Sequence, residues 1–441
     1  MELEIRVQFS VRALSLKVIA MAFEKAKGTR DFSPQEMSLR NYVFDTIRRV
    51  YKTYGYQELE TPAFERWETL SAKSAGGEDV SKEIFRFTDY GEREMGLRFD
   101  LTVPMARYIA NNPMIPRPFK RFQIGRVWRY DQPQAGRYRE FWQADVDVVG
   151  STEVEADLDA LGAVVASLKA LGFKDFTVEI NNRALLEELA ELFEIPRVKC
   201  PDLFRCIDKL DKIGMNSVKK EISDKGIKNV DKFLKFIETS GMKELEEKLP
   251  ESAELAKTKE LLKASKALGL GKWLKLTLSM VRGLAYYTSF VFEIKVKGME
   301  KYGSVGAGGR YDDLIGVYGK SDMPATGCSI GVERIIEIMK ERKMVDIPKT
   351  ETKVLVIPIG NTFKDAAKIV QQLRDAGIPS TIDLMKRGPS KLFSYANSLG
   401  IPYSLAVGEK EVNSKKYTLK NMESGKQEEF GIDKIISKLS N

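Results

Sequence analysis

The residues best suited to chemistry concentrate in positions 120–150, KRFQIGRVWRYDQPQAGRYREFWQADVDVVG, where five arginines sit among aromatic residues and are followed by Asp145 and Asp147. Positions 117–139 hold seven Lys/Arg against one acid, Asp131, in a chain whose net charge is +8. A solvated strand normally mixes its signs, because like charges facing across a sheet repel. This segment therefore reads as an anion-handling site. Asp145 and Asp147 are two residues apart, so on a strand both point to one face and make it polar. Val127, Trp128 and Tyr130 on one side, and Phe141, Trp142, Val146, Val148 and Val149 on the other, give strand patterns around turn residues 132–136. The expectation is two antiparallel strands joined by a basic loop.

Other phosphate motifs fail on inspection. Gly319-Lys320-Ser321 resembles the end of a P-loop, but the glycine required five positions earlier is Leu314, so the usual cradle cannot form. Positions 303–309 are glycine-rich, yet Tyr311 breaks the G-x-G-x-x-G register. A turn that lets backbone approach a ligand and a plain hairpin both fit there. Any nucleotide would then have its phosphates held by arginines. The chain contains no histidine, which removes His triads, His general bases and His metal ligands. Catalysis must run on Arg, carboxylate, Tyr, backbone or substrate groups.

The elements that must position these groups are legible in outline. With 441 residues and 43% hydrophobic content, the chain can build two or three domains with their own cores. It has no apolar run long enough to cross a bilayer, and Glu2, Glu4, Arg6, Arg12 and Lys17 interrupt positions 1–20, unlike a secretory signal. Cys200, Cys206 and Cys328 are too few and too irregularly spaced for a disulfide framework or a zinc site. They read as reduced, core-filling thiols of a soluble, cytoplasmic protein. Ser33-Pro34-Gln35-Glu36 predicts a helix start, with Val43, Phe44, Ile47, Val50, Tyr51 and Tyr54 on one face until Gly55. A short strand over 58–61 ends at Pro62, which suggests a sheet edge or an interface.

A helix follows over 153–171 and a strand over 176–180. Positions 202–275 carry 17 Lys/Arg against 13 Asp/Glu in mixed order, the pattern of solvated helices and hence of a helical insertion. Strand character returns at 290–296, and another helix follows 327–333. A charged linker at 340–352 leads into a β–α–β–α–β pattern: strand 354–359, a helix to Ala376, strand 380–384, a helix to Leu399 and strand 403–407. That is a compact α/β module.

Six blocks in order resemble the histidyl-tRNA synthetases: GTRDF at 28–32, RFDLTVPMAR at 98–107, the GRVWRYDQPQAGRYREFWQADVDVVG segment, VRGLAYYTSFVFE at 281–293, GAGGRYDDL and ATGCSIGVERI. The resemblance runs from Gly28 to the end of the chain. It implies an α/β (α+β) class II fold: an antiparallel catalytic sheet flanked by helices, a helical insertion and a C-terminal α/β anticodon-binding domain. The implied division is an extension over 1–22, a catalytic domain over 23–186 and 276–340, the insertion over 187–275, and the anticodon-binding domain over 350–441. It also implies a homodimer built around the Ser33 helix and the Pro62 strand.

Roles carry over by position. Arg129 would hold the α-phosphate of ATP, and Arg282 would sit beside the reacting carboxylate and phosphate; both would stabilise charge developing in the transition state. Asp100, Thr102 and Gln143 would receive the α-amino group of histidine, with Leu101 between the first two. Asp147 and Tyr287 would meet the ring nitrogens, with Tyr286 lining the pocket. Adenine would stack between Phe141 and Arg334, and Asp131 takes a position where class II enzymes often place Glu. Arg137 and Arg139 would reach the tRNA acceptor end. From Glu351 onward there are 14 Lys/Arg and 10 Asp/Glu, a modest basic bias suited to an RNA loop. Implied partners are tRNA-His, histidine and ATP with Mg²⁺; no tightly bound cofactor, protein-held metal, membrane or DNA is expected.

Three departures stand out. The family's RGLDYY reads RGLAYY here, with Ala285 in place of a carboxylate, and GGGRYD reads AGGRYD, with Ala307. Positions 1–20 match no block and read as an extension without catalytic duty, Met21 being a second possible start. Two competing readings remain at this point: a synthetase-like regulatory subunit that binds histidine without ligation, and a class II enzyme for another amino acid. The resemblance and the missing histidines together predict that synthesis of this chain is insulated from shortage of charged tRNA-His. Under histidine starvation its production should outlast that of a His-containing control; an identical decline would leave compositional drift as the explanation.

Overall fold

The computed structural model describes residues 23–72, 81–132, 136–281, 286–319 and 322–440. These residues form two compact units, one from 23–30 with Val43–Arg342 and the other from Asp31–Tyr42 with 343–440.

The first unit is organised by an eight-stranded sheet. Its strands are β1 (Gln57–Glu58), β5 (Phe119–Trp128), β6 (Glu140–Val149), β7 (Phe176–Asn182), β8 (Leu274–Leu276), β9 (Phe290–Val296), β10 (Gly306–Arg310) and β11 (Ala325–Gly331). The order is β1-β5-β6-β11-β10-β9-β7-β8. The six inner strands pair antiparallel, as expected, but both edges are parallel additions, β1 on β5 and β8 on β7. A separate three-stranded sheet, β2-β4-β3, combines β2 (Phe64–Arg66), β3 (Arg86–Thr88) and β4 (Glu94–Leu97).

Local chemistry sets the elements. Ser33 N donates to Glu36 Oε2 at 2.9 Å and Glu36 N to Ser33 Oγ at 3.3 Å, a capping box that opens the helix Pro34–Thr53. Toward its end, Val43, Ile47 and Tyr51 are buried. Tyr51 packs edge-on against Phe122 and donates its hydroxyl to Ala144 O at 3.0 Å, so this helix covers the sheet face bearing Phe122 and Ala144. The strand expected before Pro62 is shorter, only Gln57–Glu58, and does form an edge. The segment read as preceding a helix, 327–333, is mostly strand β11, and the helix begins at Val332. Gly327, Cys328 and Ser329 lie in the ladder between β6 and β10, where neighbouring strands rather than side-chain periodicity fix the conformation.

Between β7 and β8 the chain forms helices from Arg183–Leu192 to Ala253–Ala267. They bury a core of their own that includes Leu189, Leu203, Phe204, Ile222 and Phe233, with Cys200 and Cys206 inside it. Those two thiols fill core as expected.

In the second unit, β12 (Val354–Pro358), β13 (Ser380–Ile382) and β14 (Tyr403–Val407) pair parallel, and β15 (Tyr417–Asn421) and β16 (Gln427–Phe430) continue antiparallel. Val354 and Val356 pack with Ile369, Leu373 and Ile435, whereas Leu355 and Ile357 pack with Leu392 and Ala396. A strand covered by helices on both faces must be apolar throughout, which accounts for the uninterrupted VLVIP. The last two strands, YTLKN and QEEF, and the helix Ile432–Ser440 were not read from the sequence; strands of four or five residues are too short for periodicity to mark.

Candidate active site

Hairpin register builds the site. Across β5 and β6, Arg121 faces Asp147 and Gln123 faces Asp145. Alternation turns all four away from Phe122 and Ala144, and all four are buried. Arg121 Nη2 lies 2.8 Å from Asp147 Oδ2 and donates to Leu101 O at 3.1 Å. Asp147 Oδ1 accepts from the Tyr311 hydroxyl. Opposite Asp147 in β11 stands Gly327, where any Cβ would collide with the Asp147 carboxylate. Glycine is what leaves room for that acid to turn inward.

Asp145, Asp147, Tyr311 and Gly327 line a cavity of about 400 Å³, within the range of small-molecule sites. Five acceptors of the lining residues accept no hydrogen bond among the described residues. Two of them face cations, Asp147 Oδ2 with Arg121 at 2.8 Å and Glu293 Oε2 with Lys295 at 3.5 Å, which leaves Asp100 Oδ2, Gln143 Oε1 and Asp145 Oδ1. Their other functions are already engaged in fixing the side chains. Asp100 Oδ1 accepts from Val103 N at 3.0 Å, and Gln143 Nε2 donates to Ser329 Oγ at 2.8 Å. Buried acceptors left bare cost free energy, so three lining one cavity make a socket for a group rich in N–H donors, such as an ammonium. Tyr286, Tyr287 and Tyr311 pack edge to face beside them, at centroid distances of 5.0 and 5.7 Å.

Burial pushes Asp145 up to about 7, helped by its neighbours Asp147 and Asp100, while Arg121 pulls the other way. Burial likewise raises Asp100 to about 6, against the lowering effect of its backbone bond from Val103 and of Arg129 and Arg121. In the ligand-free protein both acids therefore hold protons up to near neutrality. The folded chain binds more protons than the unfolded one, so their contribution to stability is present below the unfolded carboxylate range and is lost as pH rises through about 6–7. A cationic ligand reverses the balance by favouring the carboxylates. Histidine binding is expected to release protons between pH 6 and 7, read by calorimetry in buffers of different ionisation enthalpy, with Asp100→Asn releasing fewer. Equal, near-zero release in both proteins would count against the socket.

The cationic part of the cavity is carried by Arg129 and Arg334. Arg129 Nε donates to Phe99 O at 2.9 Å, its guanidinium lies 5.3 Å from the Phe141 ring centroid, and it forms no ion pair among the described residues. Arg334 Nη1 donates to Ser304 O at 2.5 Å. Phe141 lines the same cavity. Arg137 grips Asp131 with two bonds of 2.7 and 2.8 Å. Arg139 bonds Asp131 O at 3.1 Å and lies over the Tyr130 ring at 4.1 Å, outside the cavity lining. Burial and Asp131 raise the Glu83 carboxyl. Arg30 of the GTRDF block stacks on Tyr138 at 3.6 Å and pairs with Glu333 and Glu337, tying the basic loop to the helix Val332–Glu341.

Of the residues singled out in the sequence, Asp100, Thr102, Arg129, Asp131, Arg137, Phe141, Gln143, Asp147, Tyr286, Tyr287 and Arg334 all line this cavity. Leu101 does not; its side chain lies beside Gly125 and its carbonyl serves Arg121. Arg282 and Ala285 lie outside the described residues, as do positions 1–20 and 133–135. Ala307 sits in β10 without a positive φ, so its methyl is tolerated. Cys328, read as core filling, is buried and also lines the cavity. Sequence reasoning missed Arg121, Tyr311 and the open oxygen of Asp145. A hairpin centred on position 134 would have paired Arg121 with Asp147, and Tyr311 stands in the quoted GGRYDDL block.

A largely antiparallel sheet holding an arginine-lined cavity, followed by a separate α/β module, is the architecture of a class II aminoacyl-tRNA synthetase. The family model for histidyl-tRNA synthetase matches residues 28–335, and that for an anticodon binding domain matches 353–441. The chain is 38% identical to the histidine–tRNA ligase of Pyrococcus abyssi over 94% of its own length and 98% of that protein. It is also 38% identical to the Aeropyrum pernix histidine–tRNA ligase, over 91% and 94%. The crystal structure of histidyl-tRNA synthetase from Nostoc sp. PCC 7120 superimposes with a TM-score of 0.82 at 32% identity, covering 95% of this chain and 99% of that one. This chain belongs to the histidyl-tRNA synthetase family.

Proposed function

We infer that the chain activates histidine with ATP to histidyl-adenylate and transfers histidine to the 3′-hydroxyl of the terminal adenosine of tRNA-His. The observation that carries this reading is the set of three acceptors without a partner among the described residues, on Asp100, Gln143 and Asp145, lining one cavity with Arg129, which forms no ion pair among them. An α-ammonium has three N–H donors for the first group. An α-phosphate needs a fixed guanidinium such as the second. In the first step a carboxylate oxygen of histidine bonds to the α-phosphorus while the bond to pyrophosphate breaks; Arg129, and Arg282 by family resemblance, stabilise the negative charge that builds up. In the second step the hydroxyl attacks the carbonyl carbon and AMP leaves. The hydroxyl proton passes to a group other than a side-chain imidazole, since the chain has none.

Asp147, held by Arg121 and Tyr311, and Tyr287 are assigned to the imidazole nitrogens, and Phe141 with Arg334 to adenine. A site that pairs both ring nitrogens discriminates strongly against side chains lacking them. Magnesium is taken to enter with the triphosphate as part of the substrate. Arg137 and Arg139 remain the candidates for the tRNA acceptor end, where phosphate would have to compete with the bonds both make to Asp131. The proposed division is catalytic over 23–186 and 276–340, a helical insertion over 187–275, an anticodon-binding module over 350–441 and an extension over 1–22. A homodimer is proposed across the β1 edge and the exposed Phe64–Phe87 pair, whose rings lie 6.2 Å apart. No helix among the described residues is long and apolar enough to cross a membrane, and a cytoplasmic location goes with the proposed role.

The regulatory-subunit reading is not favoured. A Bacillus halodurans structure titled as an ATP phosphoribosyltransferase regulatory subunit/histidyl-tRNA synthetase matches at only 21% identity, which speaks for the fold alone. Pyrophosphate exchange with each of the twenty amino acids, followed by charging of purified tRNA, tests the function. Histidine-dependent exchange with charging is expected. Exchange with another amino acid, or histidine binding without exchange, would overturn the reading.

A further inference from the structure

One block of the family resemblance, GTRDF, gives no residue to the cavity lining, yet it is fastened to the arm that carries Tyr138 and Arg139. Gly28 O accepts from Arg139 N at 2.9 Å, and Arg139 O accepts in turn from Arg129 N at 3.0 Å. Backbone bonds therefore link the block to the arginine assigned to the α-phosphate. Gly28 has φ +84°, and a Cβ there would lie 2.7 Å from Arg139 Cγ, so the close approach requires glycine. Two residues on, the Arg30 guanidinium lies 3.6 Å from the Tyr138 ring centroid and donates to its hydroxyl at 2.9 Å. The same guanidinium pairs with Glu333 and, at 3.0 Å, with Glu337. Tyr138 and Glu333 line the cavity.

Charge gives this contact its consequence. The helix Val332–Glu341 carries Arg334, and Glu333 and Glu337 stand one residue before it and three after. Glu333 is buried. A buried carboxylate in the wall of a cavity that takes a triphosphate repels the substrate and competes for the guanidinium beside it, because both effects strengthen out of water. Arg30 supplies the opposing cation from outside the cavity, and a planar guanidinium can meet carboxylates along its edge while its face covers a ring. We propose that Arg30 is a positioning residue for ATP. By holding Glu333, Glu337 and Tyr138 it leaves Arg334 to the nucleotide and fixes the wall against which the nucleotide lies. The proposal rests on the ligase reading and deepens it by adding to the ATP subsite a residue that does not touch ATP.

The test compares two variants of the full chain. Arg30→Met keeps an unbranched stem against the Tyr138 ring and removes the charge; Arg30→Lys restores a point charge without the planar fork. In pyrophosphate exchange Arg30→Met should raise the KM for ATP roughly tenfold, the scale of one hydrogen bond to a charged group, while the KM for histidine holds. Arg30→Lys should recover part of that loss, to roughly threefold above the parent. The Kd for α,β-methylene-ATP, measured by calorimetry, should follow the same order, and histidine binding should be equal in all three proteins. A KM for ATP in Arg30→Met equal to the parent's would overturn the proposal. So would Arg30→Lys performing no better than Arg30→Met, which would assign the contact to packing, or parallel losses for ATP and histidine, which would make Arg30 a general support of the fold. Absence of histidine-dependent exchange in the parent would instead overturn the ligase reading, and the Kd for α,β-methylene-ATP would still judge Arg30.

Discussion

Arg129→Ala is expected to lower the rate constant for histidyl-adenylate formation by about 10²–10³, the usual loss when one fixed donor to developing charge is removed, while histidine binding changes little. The expectation follows from how the side chain is held. Its Nε bond to Phe99 O fixes the guanidinium against backbone, and it forms no ion pair among the described residues. Because it belongs to no buried ion pair, its removal should leave thermal stability close to that of the parent. Single-turnover adenylation, histidine binding by calorimetry and a melting curve separate the possibilities. Equal losses in adenylation and histidine affinity, together with a lower Tm, would mark Arg129 as structural.

Asp147→Ala should have two separable consequences. Loss of an acceptor for the imidazole should raise the KM for histidine by roughly 10–100-fold, in line with about 1.5–3 kcal/mol for a charged hydrogen bond, without changing that for ATP. Loss of the partner of Arg121, which is wholly buried, should also cost about 3–5 kcal/mol of stability, because a guanidinium is left uncompensated in the interior. The paired replacement Arg121→Met with Asp147→Leu removes both charges and should recover much of the stability but none of the histidine affinity. A double variant that regains a normal KM for histidine would show that Asp147 acts only as the counter-ion of Arg121.

Legibility differed between kinds of feature. The hairpin was readable because alternation and turn residues are local, and with it the shared face of Asp145 and Asp147. The Ser33 capping box and the buried stripe through Ile47 and Tyr51 were readable for the same reason. The partners of those residues were not. Arg121 looks like any other arginine of a basic strand until pairing sets it opposite Asp147, and Arg137 loses its apparent freedom once the loop folds it onto Asp131. Cys328 is an unremarkable small residue until β11 pairs between β6 and β10.

The amino-acid order alone determined many of the element types, the α/β module, the family resemblance and eleven of the residues lining the cavity, because each depends on neighbours in the chain or on short motifs. Which acceptors and which arginine lack a partner among the described residues was decided by the tertiary structure. Those properties belong to contacts between residues far apart in sequence: Asp147 with Tyr311 across 164 positions, or Gln143 with Ser329 across 186. Burial and partner choice set the charge state of a carboxylate, and neither exists until the strands have met.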